Sequence, residues 1–213
     1  MNSNKATTAE SIKTTKRTNT RKLILLALLT AIVVILQTLA AVLPIYPFTL
    51  TLVLIPIVVG AALVNTLAGC WLGLVFGLVV LFTGNANAFL AVNPAAAIIV
   101  VILKGTLAGL AAGAVYKMIE SLGAKLKKNR TIAAIAAAIV CPIVNTGIFL
   151  IGSYLFFLPT ITQWGEAAGF ANATSYIFIS MIGFNFIFEL CVNIVLSPVI
   201  VRLIQLGQDR SRE

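Results

Sequence analysis

Apolar stretches long enough to cross a bilayer recur along the chain, and short polar, glycine-containing or proline-containing turns separate them. A hydrocarbon core about 30 Å thick requires about 20 helical residues. The second and third stretches are short, so their turn lies either between two crossings or inside a re-entrant pair. The pattern predicts an all-α polytopic membrane protein with six spans: 23–43, 50–64, 67–82, 94–119, 131–158 and 175–206.

Composition supports the bilayer as the solvent of this chain. Hydrophobic residues make up 60% of the sequence and charged residues 10%, and the mean hydropathy is +1.07. A water-soluble globule of this composition would expose apolar surface on every helix. The net charge is +9. The basic residues responsible for it flank the spans and are not interleaved with aromatic residues, so lipid headgroups are a better candidate partner than nucleic acid.

The basic residues fix the predicted orientation. With six spans, the N-terminal tail, the loop around residues 120–130 and the C-terminal tail share one side, which carries every Lys and Arg except Lys104. The opposite loops contain none. By the positive-inside rule, both termini face the cytoplasm.

Three segments follow from this division of the chain. We predict a disordered basic cytoplasmic tail over residues 1–22, a six-helix membrane domain over 23–206 and a cytoplasmic tail over 207–213. A cleaved signal peptide is the alternative for the N-terminus, and the length of the basic region argues against it.

The chain has few of the residue types that catalyse reactions in enzymes. The chain has no His, and its single Asp is Asp209 in the tail. A Ser-His relay and a paired-aspartate protease are therefore excluded, as is a P-loop, because no Gly-Lys-Ser or Gly-Lys-Thr occurs. The three cysteines fall within predicted spans, where a thiol behaves as a small apolar group. We predict a protein that is not an enzyme and has no metal or cofactor.

Small residues predict close helix packing. Gly69, Gly73 and Gly77 recur every fourth residue on the third span, and Gly105, Gly109 and Gly113 do so on the fourth. Such faces let two backbones approach closely, so we expect these spans to pack tightly, including on each other. A further face, Ala27 and Ala31 on the first span, serves either the bundle interior or a partner protein, and composition alone favours the interior.

Polar residues at mid-membrane depth are candidate functional groups. Lys104 lies about 15 Å from the outer end of the fourth span, and Glu189 about 21 Å from the outer end of the sixth. Asn185 and Asn193 share a helix face with Glu189, and Asn145 on the fifth span reaches a similar depth. Lys104 and Glu189 form either a buried ion pair or a site in which Lys104 is the counter-ion of an anionic solute, and both interpretations hold if the solute displaces one partner of the pair.

The predicted outer loops offer a binding mouth. Asn85, Asn87 and Asn93 precede the fourth span and supply neutral hydrogen-bonding groups near a helix N-terminus. Trp164, with Phe170 and Tyr176, either stacks on a ligand ring or belongs to an interfacial aromatic belt.

The order of several motifs resembles a known family. The basic tail running into Ala27-Leu28-Leu29-Thr30-Ala31 is followed by a segment from Pro44 to Pro56 with Phe-Thr-Leu-Thr-Leu, then by Gly60-Ala61-Ala62 and the glycine-rich third span. Val92-Asn93-Pro94, Lys104-Gly105-x-x-Ala108-Gly109 and Asn145-Thr146-Gly147 continue the series. Over residues 20–205 the chain resembles the substrate-binding S components of energy-coupling factor (ECF) transporters.

This resemblance implies a cell-membrane subunit that captures a vitamin-like solute from outside, in a bacterial plasma membrane. It implies docking on one transmembrane coupling subunit and two ATPases, toppling to release the solute, and contact of the Ala27 and Ala31 face with the coupling subunit. That last implication reverses the preference from composition. A membrane lysine with several asparagines suits a small anion that carries hydroxyls and amides, and pantothenate fits that description, with other vitamins or vitamin precursors as alternatives. The alternatives are an autonomous secondary transporter with Glu189 as the proton carrier and a structural membrane subunit.

Overall fold

The computed structural model describes residues 3–42, 52–122 and 127–209 of the chain, and every regular element in these ranges is helical. The long helices are α1 (Ser3–Val42), α3 (Thr66–Phe82), α5 (Pro94–Leu122), α6 (Lys127–Phe156) and α9 (Phe184–Asp209). The shorter ones are α2 (Leu54–Leu63), α4 (Asn87–Val92), α7 (Leu158–Ala167) and α8 (Ala173–Tyr176). A π-helix, Ile177–Gly183, joins α8 to α9. The all-α class is confirmed.

Four stretches are long and apolar enough to cross a membrane: Asn19–Val42, Pro94–Leu122, Arg130–Phe156 and Ala173–Leu196. The second and third predicted spans correspond to the shorter apolar helices α2 and α3. At 1.5 Å per residue, the 10 residues of α2 extend only about 15 Å, half a hydrocarbon core.

The N-terminal segment differs from its prediction. Helix α1 begins at Ser3, so residues 3–22, which we predicted to be disordered, are helical in the structure. The downstream apolar run supplies a preformed helix, and extending a helix costs far less than nucleating one. Residues 1–2 and 210–213 of the two predicted tails lie outside the described ranges, and α9 continues into the predicted C-terminal tail as far as Asp209.

The glycine faces of α3 and α5 pack directly on each other, as predicted. A Cβ atom on Gly73 would collide with the backbone carbonyl of Gly105, and one on Gly109 with that of Gly69. Farther along, a Cβ on Gly77 would approach the Val101 carbonyl oxygen to 2.9 Å. This register makes the two helices antiparallel, with their backbones in contact along the glycine faces.

Small residues also line the opposite flank of the core. Helix α6 packs along α5 with a buried face that includes Ala134, Ala138 and Cys141. Nearer its C-terminal end, Gly152 meets the side chain of Val100 on α5. Helix α1 covers α2 and α3 with a stripe of Leu29, Val33 and Gln37, which recur every fourth residue and are buried.

The predicted outer loops contain helices. The fifth span, predicted to end at Leu158, stops at Phe156, and α7 begins two residues later with Pro159 in its first turn. This helix occupies most of the segment that we predicted to be a loop. Its Ile161 packs with Phe157 and other residues into a second apolar cluster, separate from the main core. The bundle therefore has a structured cap over the ends of α5 and α6.

Candidate functional site

Four polar side chains lie inside the bundle, and each of them has one atom without a hydrogen-bond partner. Asn145 and Ser153 belong to α6, whereas Glu189 and Asn193 belong to α9. The unpartnered atoms are Asn145 Oδ1, Ser153 Oγ, Glu189 Oε1 and Asn193 Oδ1. An unpaired polar atom inside a protein is costly, so buried polar groups of this kind are normally completed by a water molecule or a ligand.

Helix geometry orients the α9 pair. Asn193 follows Glu189 by one turn, and its Nδ2 donates to the Glu189 backbone carbonyl oxygen at 2.9 Å. That bond uses one N–H of the Asn193 amide and leaves its oxygen as an acceptor. Both side chains are more than nine-tenths buried. The π-helix Ile177–Gly183 precedes Glu189, and its wider turns change the direction in which the side chains of α9 point relative to those of α8.

Lys104 projects from α5 between two aromatic rings. Its Nζ lies 5.7 Å from the ring centroid of Phe76 on α3 and 5.3 Å from that of Phe149 on α6. Helical side chains tilt toward the N-terminus of their helix, which directs the Lys104 amine toward the end of α5 that carries Pro94. Cation–π contacts stabilise an ammonium group without neutralising its charge.

Lys104 and Glu189 do not form a direct ion pair. The salt bridge within 4.0 Å in the described residues joins Arg130 Nε and Glu120 Oε1 at 3.3 Å, where α5 and α6 meet at their connection. Lys104 and Glu189 still interact electrostatically through the interior. The two side chains are therefore not in ion-pair contact in this structure, and the Lys104 amine lies beside the two aromatic rings.

One face of α6 connects these two charged groups. Cys141, Asn145 and Phe149 follow each other at four-residue steps and so lie along one side of the helix. Cys141 is close enough to Glu189 for the two to interact electrostatically, and Phe149 contacts Lys104. Asn145 lies between them. The helices α5, α6 and α9 thus surround a polar interior with a cation near one end and a carboxyl group near the other.

A cluster of four aromatic rings closes the Phe149 side of this interior. The Phe89 ring of α4 packs edge-to-face against Phe149 at 5.6 Å, Phe157 at 5.0 Å and Trp164 at 5.6 Å between centroids. Aromatic pairs in this geometry stabilise their arrangement beyond simple burial. Phe89 therefore ties the cap helices α4 and α7 to the ring that holds Lys104.

The predicted mouth residues occupy different environments. Asn85 and Asn87 are exposed beside the turn at Gly84, whose φ of +81° suits glycine. Asn93 Oδ1 accepts from the Ala96 backbone N–H at 3.1 Å, which caps α5. The side chain of Asn185 lies outside the described residues. The structure brings Lys104, Asn145 and Glu189 to the same interior and connects Trp164 to it, but it does not bring the exposed asparagines there.

Sequence reasoning missed Phe89, Phe149 and Ser153. Phe149 follows Asn145 by four residues, so its position on the same helix face was available as a signal. Phe89 lies among the asparagines of a segment that we predicted to be a loop, and nothing local distinguishes it. The tertiary structure alone makes it the centre of the aromatic cluster.

Ala27 and Ala31 are exposed on α1, opposite the buried stripe of that helix. The preference from composition, which placed this small-residue face inside the bundle, is therefore wrong. A face of alanines on the bundle surface permits close approach of another helix.

The charge and hydrogen-bonding groups of this interior indicate what it could bind. The described residues contain no group of three or more His, Cys, Asp or Glu side chains placed to hold a metal ion. Lys104 supplies a positive charge, and the buried unpartnered atoms are mostly hydrogen-bond acceptors. This combination suits an organic anion that carries hydrogen-bond donors.

Comparison with protein families gives the decisive observation. The family model described as ECF transporter, substrate-specific component, matches residues 21–201, which cover α1 from its apolar part through most of α9. The chain belongs to this family. No curated protein and no solved structure matches it.

As an ECF substrate-specific component, the chain is the subunit that recognises a small-molecule solute, and it works with an ECF module. Its apolar helices are those of a multi-pass membrane protein. The family is one of transport subunits rather than enzymes, in agreement with the shortage of catalytic side chains.

Proposed function

We propose that this substrate-specific component captures an anionic, vitamin-like solute from outside the cell and that pantothenate is that solute. The solute then enters the cell when the subunit topples on a module of one transmembrane coupling subunit and two ATPases. In this proposal the chain crosses a bacterial plasma membrane six times, with both termini in the cytoplasm.

The observation that carries the proposal is the state of Lys104. Its amine is held by two aromatic rings, has no carboxylate within ion-pair distance in the described residues, and faces an interior with unpartnered oxygens. A solute carboxylate would form an ion pair with the Lys104 ammonium group. Hydroxyl and amide donors of the same solute would satisfy Asn145 Oδ1 and Glu189 Oε1, and pantothenate carries one carboxylate together with such donors.

The remaining residues have proposed roles along the path of the solute. Asn85, Asn87, Asn93 and Trp164 lie at the outer mouth, and Asn185 adds to the inner polar face. Exposure of the Asn85 and Asn87 side chains supports first contact with a solute in water rather than tight binding. On the surface of α1, Ala27 and Ala31 contact the coupling subunit.

The direct test is binding to the isolated subunit followed by reconstituted uptake. Purified protein should bind pantothenate by titration calorimetry, and native mass spectrometry should detect a small acid that co-purifies. Uptake into proteoliposomes should require the complete ECF module and stop when its ATPases are inactivated, while binding to the subunit persists. Undiminished uptake with this chain alone would refute the proposal.

A second candidate rests on Glu189. Its Oε1 is buried without a partner, a placement that membrane proton carriers share. An autonomous proton-coupled secondary transporter would use this group as its carrier. It would accumulate solute in proteoliposomes under a pH gradient, without ATP or partner chains, and Glu189→Gln would abolish that accumulation.

A further inference from the structure

A cleft of about 540 Å³ opens on the bundle surface between α1 and the start of α3, away from the polar interior. Leu23, Leu67 and Trp71 line its apolar part, and Asn19, Lys22 and Asn65 line its polar part. Leu67 and Leu23 are among the most exposed large apolar side chains of the protein, at 72% and 66%. On a membrane protein, an apolar surface of this kind is suited to contact with lipid.

The walls of the cleft are held in place by hydrogen bonds. Trp71 Nε1 donates to Thr30 Oγ1 at 3.2 Å, which fixes the indole against α1. Asn65 Oδ1 accepts from the Ala68 backbone N–H at 2.7 Å and caps α3. Because that bond uses the amide oxygen, the Asn65 NH₂ group remains as a donor.

The polar end of the cleft is cationic and carries no acid. Lys22 makes no ion pair among the described residues, and no Asp or Glu lines the cleft. A positive charge and amide donors at the mouth of an apolar groove complement an amphiphile with an anionic head.

We propose that this cleft binds one anionic phospholipid. The phosphate group lies near Lys22 and the Asn19 and Asn65 amides, and one acyl chain lies along Leu23, Leu67 and Trp71. The charge of the mouth favours a lipid over an apolar partner helix, because the phosphate of a lipid offers Lys22 an anionic group and an apolar helix does not. The site is separate from the solute site and does not depend on which solute the chain binds.

Native mass spectrometry of the purified protein tests this site with phosphatidylglycerol and phosphatidylcholine of matched acyl chains. We expect one phosphatidylglycerol to bind more tightly than phosphatidylcholine. Lys22→Gln should weaken phosphatidylglycerol about fivefold, the factor for one Lys near an anionic membrane surface, and leave phosphatidylcholine unchanged. Leu67→Gln should weaken both lipids, because it places an amide in the acyl groove.

Two exposed residues at the end of α5 provide matched controls, Lys117→Gln for the charge and Leu122→Gln for the apolar contact. Neither should change lipid retention. Equal losses in Lys22→Gln and Lys117→Gln would mean diffuse attraction without a site and would overturn the proposal, as would equal affinity for the two lipids. A dimer of the chain that Leu67→Gln dissociates would also overturn it, because the cleft would then be an interface between copies.

Discussion

Lys104 Nζ lies 5.3 Å from the centroid of the Phe149 ring, and no carboxylate of the described residues lies within 4.0 Å of it. A charged amine inside a bundle is stable only with compensation. Here the rings of Phe76 and Phe149 provide part of it, and Glu189 acts from a greater distance. Because no carboxylate in the described part of the chain contacts the Lys104 amine, an anionic solute can take that position; a direct ion pair with Glu189 would have occupied it.

Replacement of Lys104 tests this interpretation. We expect Lys104→Met to weaken pantothenate binding by about 2 to 5 kcal/mol, as for one partner of a buried charge pair, with folding retained. A calorimetric titration and a thermal unfolding midpoint provide the two readouts. Lys117→Met, an exposed lysine on the same helix, is the control and should change neither.

The double variant separates binding from charge compensation. If Lys104 mainly compensated Glu189, Lys104→Met would destabilise the fold and Glu189→Gln in the same chain would restore it. A stable Lys104→Met, Glu189→Gln protein with unchanged affinity would remove Lys104 from the solute site.

The contact between α3 and α5 predicts a large effect from one methyl group. In Gly73→Ala the new Cβ meets the Gly105 carbonyl, so the helices must separate, at a cost of about 1 to 3 kcal/mol. The thermal midpoint in detergent should fall. Gly147→Ala on α6 meets nothing within 4 Å, and it should leave the midpoint unchanged or raise it. Equal behaviour of the two variants would contradict the packing.

Phe89 should hold the cap over the polar interior. Phe89→Ala removes three edge-to-face contacts, each worth about 0.5 to 1.5 kcal/mol, so we expect faster solute release and a shift in Trp164 fluorescence. Stopped-flow dissociation measures the first effect. Phe82→Ala, at a ring that is 87% exposed, is the matched control. An unchanged dissociation rate in Phe89→Ala would show that the cap does not retain the solute.

Bulk on the exposed face of α1 should impair docking without affecting recognition. Ala27→Leu with Ala31→Leu keeps the helix apolar but blocks close approach of a partner helix. Co-purification with the ECF module and uptake should fall, and solute affinity should stay the same. Ala114→Leu, at an exposed alanine of α5, controls for added bulk elsewhere. A parallel loss of affinity would contradict the docking role of this face.

Membrane orientation can be measured by labelling in a background without Cys70, Cys141 and Cys191. We expect Lys127→Cys and Gln163→Cys to react from opposite sides of the membrane, with the first on the cytoplasmic side. Both positions belong to helices of the described structure, at opposite ends of α6 and its neighbour α7. Reaction from the same side would exclude the six-span topology.

Hydropathy and residue spacing determined the all-α class and the contact between the third and fourth spans. The α3–α5 contact was predictable because glycines at four-residue steps form a face whatever surrounds it. Lys104 and Glu189 were recognisable in the same way, since charge inside an apolar run stands out locally. Each of these signals is a property of one continuous segment.

Tertiary structure decided which side chains meet. The rotation of α5 directs Lys104 to Phe149 rather than into contact with Glu189, and the fold of the predicted outer loop brings Phe89 to Trp164. The exposure of Ala27 likewise depends on which face of α1 the core covers. Such contacts depend on the rotation and depth of helices that are distant in the chain, and no periodicity within one segment encodes them.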